Sequence, residues 1–217
     1  MEANMTVNTH NFEADTGKIL NIVINSLYSD RDIFIRELLS NASDAIHKRK
    51  FIGQTTPNTL NSTQDEIFVD VDEKKKTIMI VDTGIGLTAD DLMETLGTIA
   101  RSGTSSFLDS FEEEADNKDA AKTLIGKFGV GFYSAFMVAS KVEIFTKSFK
   151  DEPAAHWTCD GSPEFTLETH TKTDRGTEIV LHIAEDSLEF LEEFKYLTNL
   201  KDLIKISSNN IEEQITY

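Results

Sequence analysis

The chain has 217 residues and carries 38 acidic against 21 basic side chains, a formal charge of −17; this excludes a surface built to wrap nucleic acid, because a phosphate backbone requires a positive face. With 39% apolar and 27% charged residues, and no run near the roughly 18 apolar residues of a membrane span, it reads as one soluble domain with a substantial core and not as a membrane protein. A single cysteine, Cys159, cannot form an internal disulfide, and the polar start lacks the basic and apolar stretches of a targeting peptide, so a cytoplasmic setting is expected.

Negative charge does not exclude a small anion, since backbone amides at a glycine loop or a helix start hold phosphates locally. In chain order, a helix is expected over about 16–28 and a second over about 31–50, after the cap candidates Ser29 and Asp30. A polar loop, 53–65, leads to two strands, "IFVDV" (67–71) and "TIMIVD" (77–82), joined by "DEKKK" as an antiparallel hairpin that delivers Asp82 to a strand end. Thr88 and Asp91 resemble a capping box that opens a helix through Leu92, Met93 and Leu96.

The stretch 97–131, rich in Ser, Gly and acids, reads as a mobile lid, and its acidic run 112–116 reads as a solvated face because it lacks calcium-loop spacing. A short helix follows Gly131, then strands near 142–147, 157–159 and 165–167. "DRG" turns into a strand at 177–183, and a closing helix spans about 187–206. Interleaved helices and hairpin-linked strands predict an α+β two-layer sandwich, a mixed and mostly antiparallel sheet covered on one face by helices.

Three stretches carry chemistry. In "FIRELLSNASDA" (34–45), Glu37, Asn41 and Asp44 fall at i, i+4 and i+7, within one narrow helical stripe. That stripe borders the apolar sector of Phe34, Ile35, Leu38, Leu39, Ala42, Ala45 and Ile46, while Arg36, Ser40, Ser43 and His47 point toward water. "DTGIG" (82–86) sets a carboxylate at a strand end beside two glycines that let the backbone turn tightly against a flat ligand. "GKFGVGF" (126–132) puts three glycines ahead of a helix start, where successive amides cradle phosphates. Taken singly, a polar helix edge, a turn and a glycine-rich loop each have a purely structural reading. Neither a P-loop nor a G-x-G-x-x-G dinucleotide motif occurs.

In this order the three stretches resemble the Bergerat nucleotide fold of type II topoisomerase ATPases, MutL, sensor histidine kinases and heat-shock protein 90 chaperones. "IFIRELLSNASDA", "LGTIARSGT" and "IGKFGVGFYSAF" are similar to the heat-shock protein 90 family almost word for word, its bacterial members above all. The likeness extends over the whole chain and implies the N-terminal ATPase domain of a dimeric chaperone, residues 1–217, which binds and slowly hydrolyses ATP with Mg²⁺. It further implies client proteins, a homodimer in the full-length protein, and middle and C-terminal domains beyond this chain.

By resemblance, Glu37 is the general base and Asn41 the Mg²⁺ ligand. Asp44 is either an outer-shell group or a structural partner, and Arg36 either a surface charge or the partner that holds Glu37. Asp82 accepts a hydrogen bond from the exocyclic amine of adenine with help from Thr177, which selects adenine over guanine. Ala45, Gly86, Leu87 and Leu96 pack around the base. Arg101, Ser102 and the backbone at Gly126, Gly129, Val130, Gly131 and Phe132 belong to the phosphate side. Thr95 departs from the Asn or His common in the family, Arg101 from Lys, and Lys127 from Gln. Two other readings, a histidine-kinase-like phosphotransferase and a nucleotide sensor that never hydrolyses, stand beside the ATPase.

Overall fold

The computed structural model describes residues 8–11, 31–55, 65–96, 131–162 and 164–192. The expected helix at 16–28, most of the lid at 97–131, and the closing helix beyond 192 lie outside the described residues. So do Arg101, Ser102, Gly126, Gly129 and Val130.

Among the described residues seven strands form one sheet: β1 (Asn8–Asn11), β2 (Ile67–Asp72), β3 (Thr77–Asp82), β4 (Ala139–Lys147), β5 (Ala154–Cys159), β6 (Glu164–His170) and β7 (Gly176–Ile183). Their order is β1-β6-β5-β4-β7-β3-β2, and every pairing is antiparallel. The described residues also include helices α1 (Ile33–Thr55) and α2 (Ala89–Leu96), 3-10 segments at Gly131–Met137 and Glu185–Ser187, and a short helical stretch at 189–192. This is the α+β sandwich expected from sequence.

The inward face follows from period-2 alternation. Ile78 and Ile80 of β3, Val142 and Ile144 of β4, Trp157 of β5, Phe165 of β6, and Ile179 and Leu181 of β7 are all buried. They meet Phe34, Leu38, Ala42 and Ile46, the apolar stripe of α1. Burying each such side chain stabilises by about 1.5–3 kcal/mol before conformational entropy is charged against it.

On the opposite face polar side chains are linked across four strands. Glu168 meets His156 Nδ1 at 2.6 Å, and Glu143 meets His156 Nε2 at 3.2 Å and His182 Nε2 at 2.6 Å. At its start α1 is tied to the later chain by Arg31, which donates to the Met137 carbonyl at 2.7 Å and to the Ser187 hydroxyl. Phe34 packs edge-on against Phe190.

Several boundaries differ from those expected. Helix α1 continues through Thr55, past Gly53, and the segment after Gly131 is 3-10 rather than α-helical. Strands β4, β5 and β6 are longer than their apolar centres suggested: residues 139–141 extend β4, 154–156 extend β5, and Glu164 with 168–170 extend β6. Strand β1, too polar to read from sequence, is recruited by pairing with β6. Ser43 is buried instead of facing water; only about 40° around the helix from Leu39, it rides on the flank of the apolar sector.

The capping box at α2 forms as expected. The Thr88 amide donates to Asp91 Oδ2 at 2.9 Å, and the Asp91 amide donates to Thr88 Oγ1 at 3.0 Å. Thr88→Ala is expected to destabilise the fold by about 1 kcal/mol, read as a lower denaturation midpoint at unchanged slope; an unchanged midpoint would show that the cap contributes nothing.

Candidate functional site

Strand parity decides where the "DTGIG" acid points. Asp82 follows Ile78 and Ile80 at even spacing and so turns inward, toward α1, where it is 6% exposed. The registers place Thr177 of β7 opposite Asp82, and Thr146 of β4 opposite Thr177. Asp82, Thr177 and Thr146 therefore form one polar row across three strands, at the end of the apolar inner face. All three side chains are buried.

The chain then leaves β3 through a turn fastened on every side. Asp82 Oδ1 accepts the Gly84 amide at 2.8 Å, a side-chain-to-backbone turn of the kind Asp favours. Thr83 exchanges hydrogen bonds with Glu66, amide to carbonyl at 3.1 Å and amide to hydroxyl at 3.0 Å. Arg175 donates through Nε to the Gly84 carbonyl at 2.9 Å. The Ile85 amide donates to the Ala45 carbonyl of α1 at 3.1 Å. A Cβ on Gly84 would stand 2.6 Å from the Ala45 Cβ, so only glycine lets this turn lie on the helix. Gly86, at φ +66°, faces the Lys147 carbonyl with no room for a side chain.

The second approach to α1 lies two turns earlier on the same helix. Gly131 stands so close to Glu37 that a Cβ there would overlap the carboxylate. Glu37 and Ala45 are eight residues apart, about 12 Å along the axis, with Asn41 midway between them. Thus the turn bearing Asp82 and the segment beginning at Gly131 abut one helix edge at two points, and Asn41 and Asp44 are exposed on that edge. The Asp82 turn and Gly131, distant in sequence, meet the same helix.

Burial pushes the Asp82 carboxyl up to about 7, although the Gly84 and Thr177 backbone and the charge of Lys172 pull the other way. Glu37, half-buried, is also raised by desolvation, and the charge of Arg36 partly offsets this. Arg36 itself is exposed. Leu96 is buried, and its carbonyl accepts the Tyr133 hydroxyl at 2.5 Å. Leu87 is half-buried, and its amide donates to Thr146 Oγ1 at 2.9 Å. The Phe132 ring turns into the core against Tyr133 and Trp157, which leaves only its backbone for the site.

Three supporting residues escaped the sequence reading. Thr146 belongs inward by its even spacing from Val142 and Ile144, but only the pairing of β4 with β7 and of β7 with β3 sets it in a row with Thr177 and Asp82. Arg175 reads from sequence only as part of the "DRG" turn, and Arg49 lies within α1 with no motif to single it out. Arg49 is 7% exposed and ion-paired with Asp65, which also meets Lys50 at 2.6 Å. Among the described residues no cluster of three or more His, Cys, Asp or Glu side chains could hold a metal ion.

One edge of α1 is thus met by the turn after the buried strand-end acid at Ala45 and by Gly131 at Glu37. A family model for histidine kinase-, DNA gyrase B- and HSP90-like ATPases matches residues 28–189, and the chain belongs to that family. "Chaperone protein HtpG" of Roseobacter denitrificans is 44% identical over 204 residues, 94% of this chain and 32% of that protein. The HtpG proteins of Rickettsia massiliae and Rhodospirillum rubrum are 45% and 41% identical, over 95% and 98% of this chain and 32% and 34% of their own lengths. The chain thus spans about a third of the length of the curated relatives it matches.

The Asp82 carboxyl predicts a pH-dependent cost. Its folded value lies above the usual 3.8, so its contribution is fully favourable below the unfolded value and is lost as pH rises through about 7. Asp82→Asn, whose amide oxygen still accepts from Gly84, is expected to be more stable than wild type at pH 8 by on the order of 1–4 kcal/mol. Thermal melts from pH 4.5 to 8 should show that gap shrinking toward acid; a gap independent of pH would refute the assignment.

Proposed function

We propose that residues 1–217 form the N-terminal ATP-binding domain of an HtpG-type chaperone, and that closure of the 97–131 segment over the nucleotide times a larger conformational cycle. The observation that carries this reading is the joint seating of the Asp82 turn at Ala45 and of Gly131 at Glu37 on one edge of α1. In the full-length protein the partners are client proteins, the remaining domains and a second copy in a homodimer; the setting is cytoplasmic, with no nucleic acid or membrane involved.

Adenine enters beside Asp82, whose carboxylate accepts from its exocyclic amine. Guanine, with a carbonyl at that position, meets an acceptor facing an acceptor and is rejected. Thr177 assists from the opposite strand, directly or through a water, and Ala45, Gly86, Leu87 and Leu96 pack around the ring. The phosphates extend along the helix edge toward Glu37. There Arg101, Ser102 and the amides of 126–132 supply positive partners by family resemblance.

Asn41 suits the Mg²⁺ role. It is an exposed neutral amide between the two contact points, and Mg²⁺ characteristically takes one or two protein oxygens and completes its shell with phosphate and water. When bound, the ion neutralises charge shared between the phosphates. Glu37 orients the attacking water and accepts its proton, and burial makes its carboxylate a stronger base. Arg36 tempers that effect, and Asp44 lies on the same exposed stripe. Turnover by the isolated domain is weak, since a neighbouring domain completes the γ-phosphate site.

Two substitutions separate the roles. Asp82→Asn should weaken Mg·ADP binding at least tenfold, as expected when a charged hydrogen bond to the base is lost, with calorimetry as the readout. In the full-length protein, Glu37→Ala should lower steady hydrolysis by about 100-fold or more while nucleotide affinity changes little. Retained hydrolysis in that variant would remove Glu37 from the general-base role.

A further inference from the structure

The hydroxyl of Thr146, 0% exposed, has three neighbours and one proton. The Leu87 amide donates to it at 2.9 Å. The Gly176 carbonyl, at 3.3 Å, can only accept from it. The Thr177 hydroxyl, at 3.1 Å, can do either. A hydroxyl has a single O–H and two lone pairs, so its proton goes to Gly176 or to Thr177. In the first arrangement Thr177 must donate to Thr146, and it then offers the base only an acceptor. In the second, Thr177 receives from Thr146, and its own proton is free to donate toward the base.

From this geometry we infer that Thr146 is a specificity-positioning residue: its hydroxyl directs the Thr177 hydroxyl as a donor toward the purine, so that Asp82 and Thr177 together match the adenine edge. The inference rests on the adenine-site reading above and deepens it. Adenine presents a donor at its amine and an acceptor at the adjacent ring nitrogen. Hypoxanthine presents the reverse, a carbonyl and a ring N–H. A carboxylate acceptor beside an oriented hydroxyl donor fits the first pattern and opposes the second at both positions. With Thr146 replaced by an apolar isostere, Thr177 is free to rotate and serve as donor or acceptor. Hypoxanthine then regains one of its two contacts.

The wiring also explains why Thr146 receives the Leu87 amide. That bond occupies one lone pair and leaves the Thr146 proton to the two remaining neighbours, so the segment carrying Gly86 and Leu87 and the base-reading hydroxyl are set by one atom. A residue that only filled space would need none of these contacts.

The test is the ratio of ADP to IDP affinity, with Mg²⁺, for the full chain as wild type, Thr146→Val and Thr146→Ser, alongside melting temperatures. Thr146→Val is expected to lower the ADP:IDP ratio about three- to tenfold, the scale of one oriented neutral hydrogen bond, and Thr146→Ser to restore it. Thr177→Val should lower the ratio similarly, and the double variant no further. If Thr146→Val lowers ADP and IDP affinity by the same factor, Thr146 is a packing residue and the inference is wrong. If Thr146→Val melts below the assay temperature, Thr146→Cys, a much weaker hydrogen-bonding group of similar volume, takes its place with the same expected fall. Wild-type protein that binds neither nucleotide would overturn the adenine site itself, whereas wild-type binding with an unshifted ratio in the variants would overturn only the role of Thr146.

Discussion

One edge of α1 is approached by two backbones within van der Waals contact, and the rest of the site depends on that double approach. The Ile85 amide reaches the Ala45 carbonyl, and Gly131 reaches the Glu37 carboxylate. Each approach needs a residue without Cβ, because a methyl group would fill the space in which the two surfaces meet. Were either separated by the width of a side chain, the strand-end acid and the helix-edge acid would no longer bound a common site. Catalysis by positioning tolerates errors of only about an ångström, so rigid contact at both ends matters more than the identity of the surrounding apolar residues.

Electrostatics at the site run against stability. Asp82 is held where desolvation lifts its carboxyl to about 7, and a chain of formal charge −17 gains nothing from another buried acid. The contrast with Glu143 is instructive. Burial raises that carboxyl too, but hydrogen bonds from His182 and Lys141 more than offset the effect and hold it below its ordinary value. On the outer face a carboxylate is satisfied by its neighbours. At the inner strand end the bonds Asp82 accepts from the Gly84 and Thr177 backbone do not offset its burial, the kind of perturbed titration that clusters at functional positions.

The elements that a periodic pattern specifies were readable beforehand. The β2–β3 hairpin, the stripe of α1 and the cap of α2 all involve residues that contact neighbours close in sequence. Strand β1, the outer halves of β4, β5 and β6, and the burial of Ser43 were not readable, since each depends on a partner far along the chain. The 3-10 conformation after Gly131 was not readable either: all seven of its residues are buried, so no amphipathic period marks it, and the Ser134 hydroxyl bonds the Gly131 carbonyl at 2.5 Å.

By itself the sequence determined which side chains could do chemistry: the spacing of Glu37, Asn41 and Asp44 on a helix, the acid at the end of "TIMIVD", and the glycines that follow it. Helical and strand periods are local properties, and they fix which face a residue occupies without reference to the rest of the chain. Only the tertiary structure decided that those faces meet. The antiparallel order β4-β7-β3 sets Thr146, Thr177 and Asp82 in one row, and packing of α1 on the sheet brings that row to the helix edge. Register between distant strands is set by burial and pairing across the whole sheet, so it was Thr146 and Arg175, residues with no motif of their own, that the folded chain alone revealed.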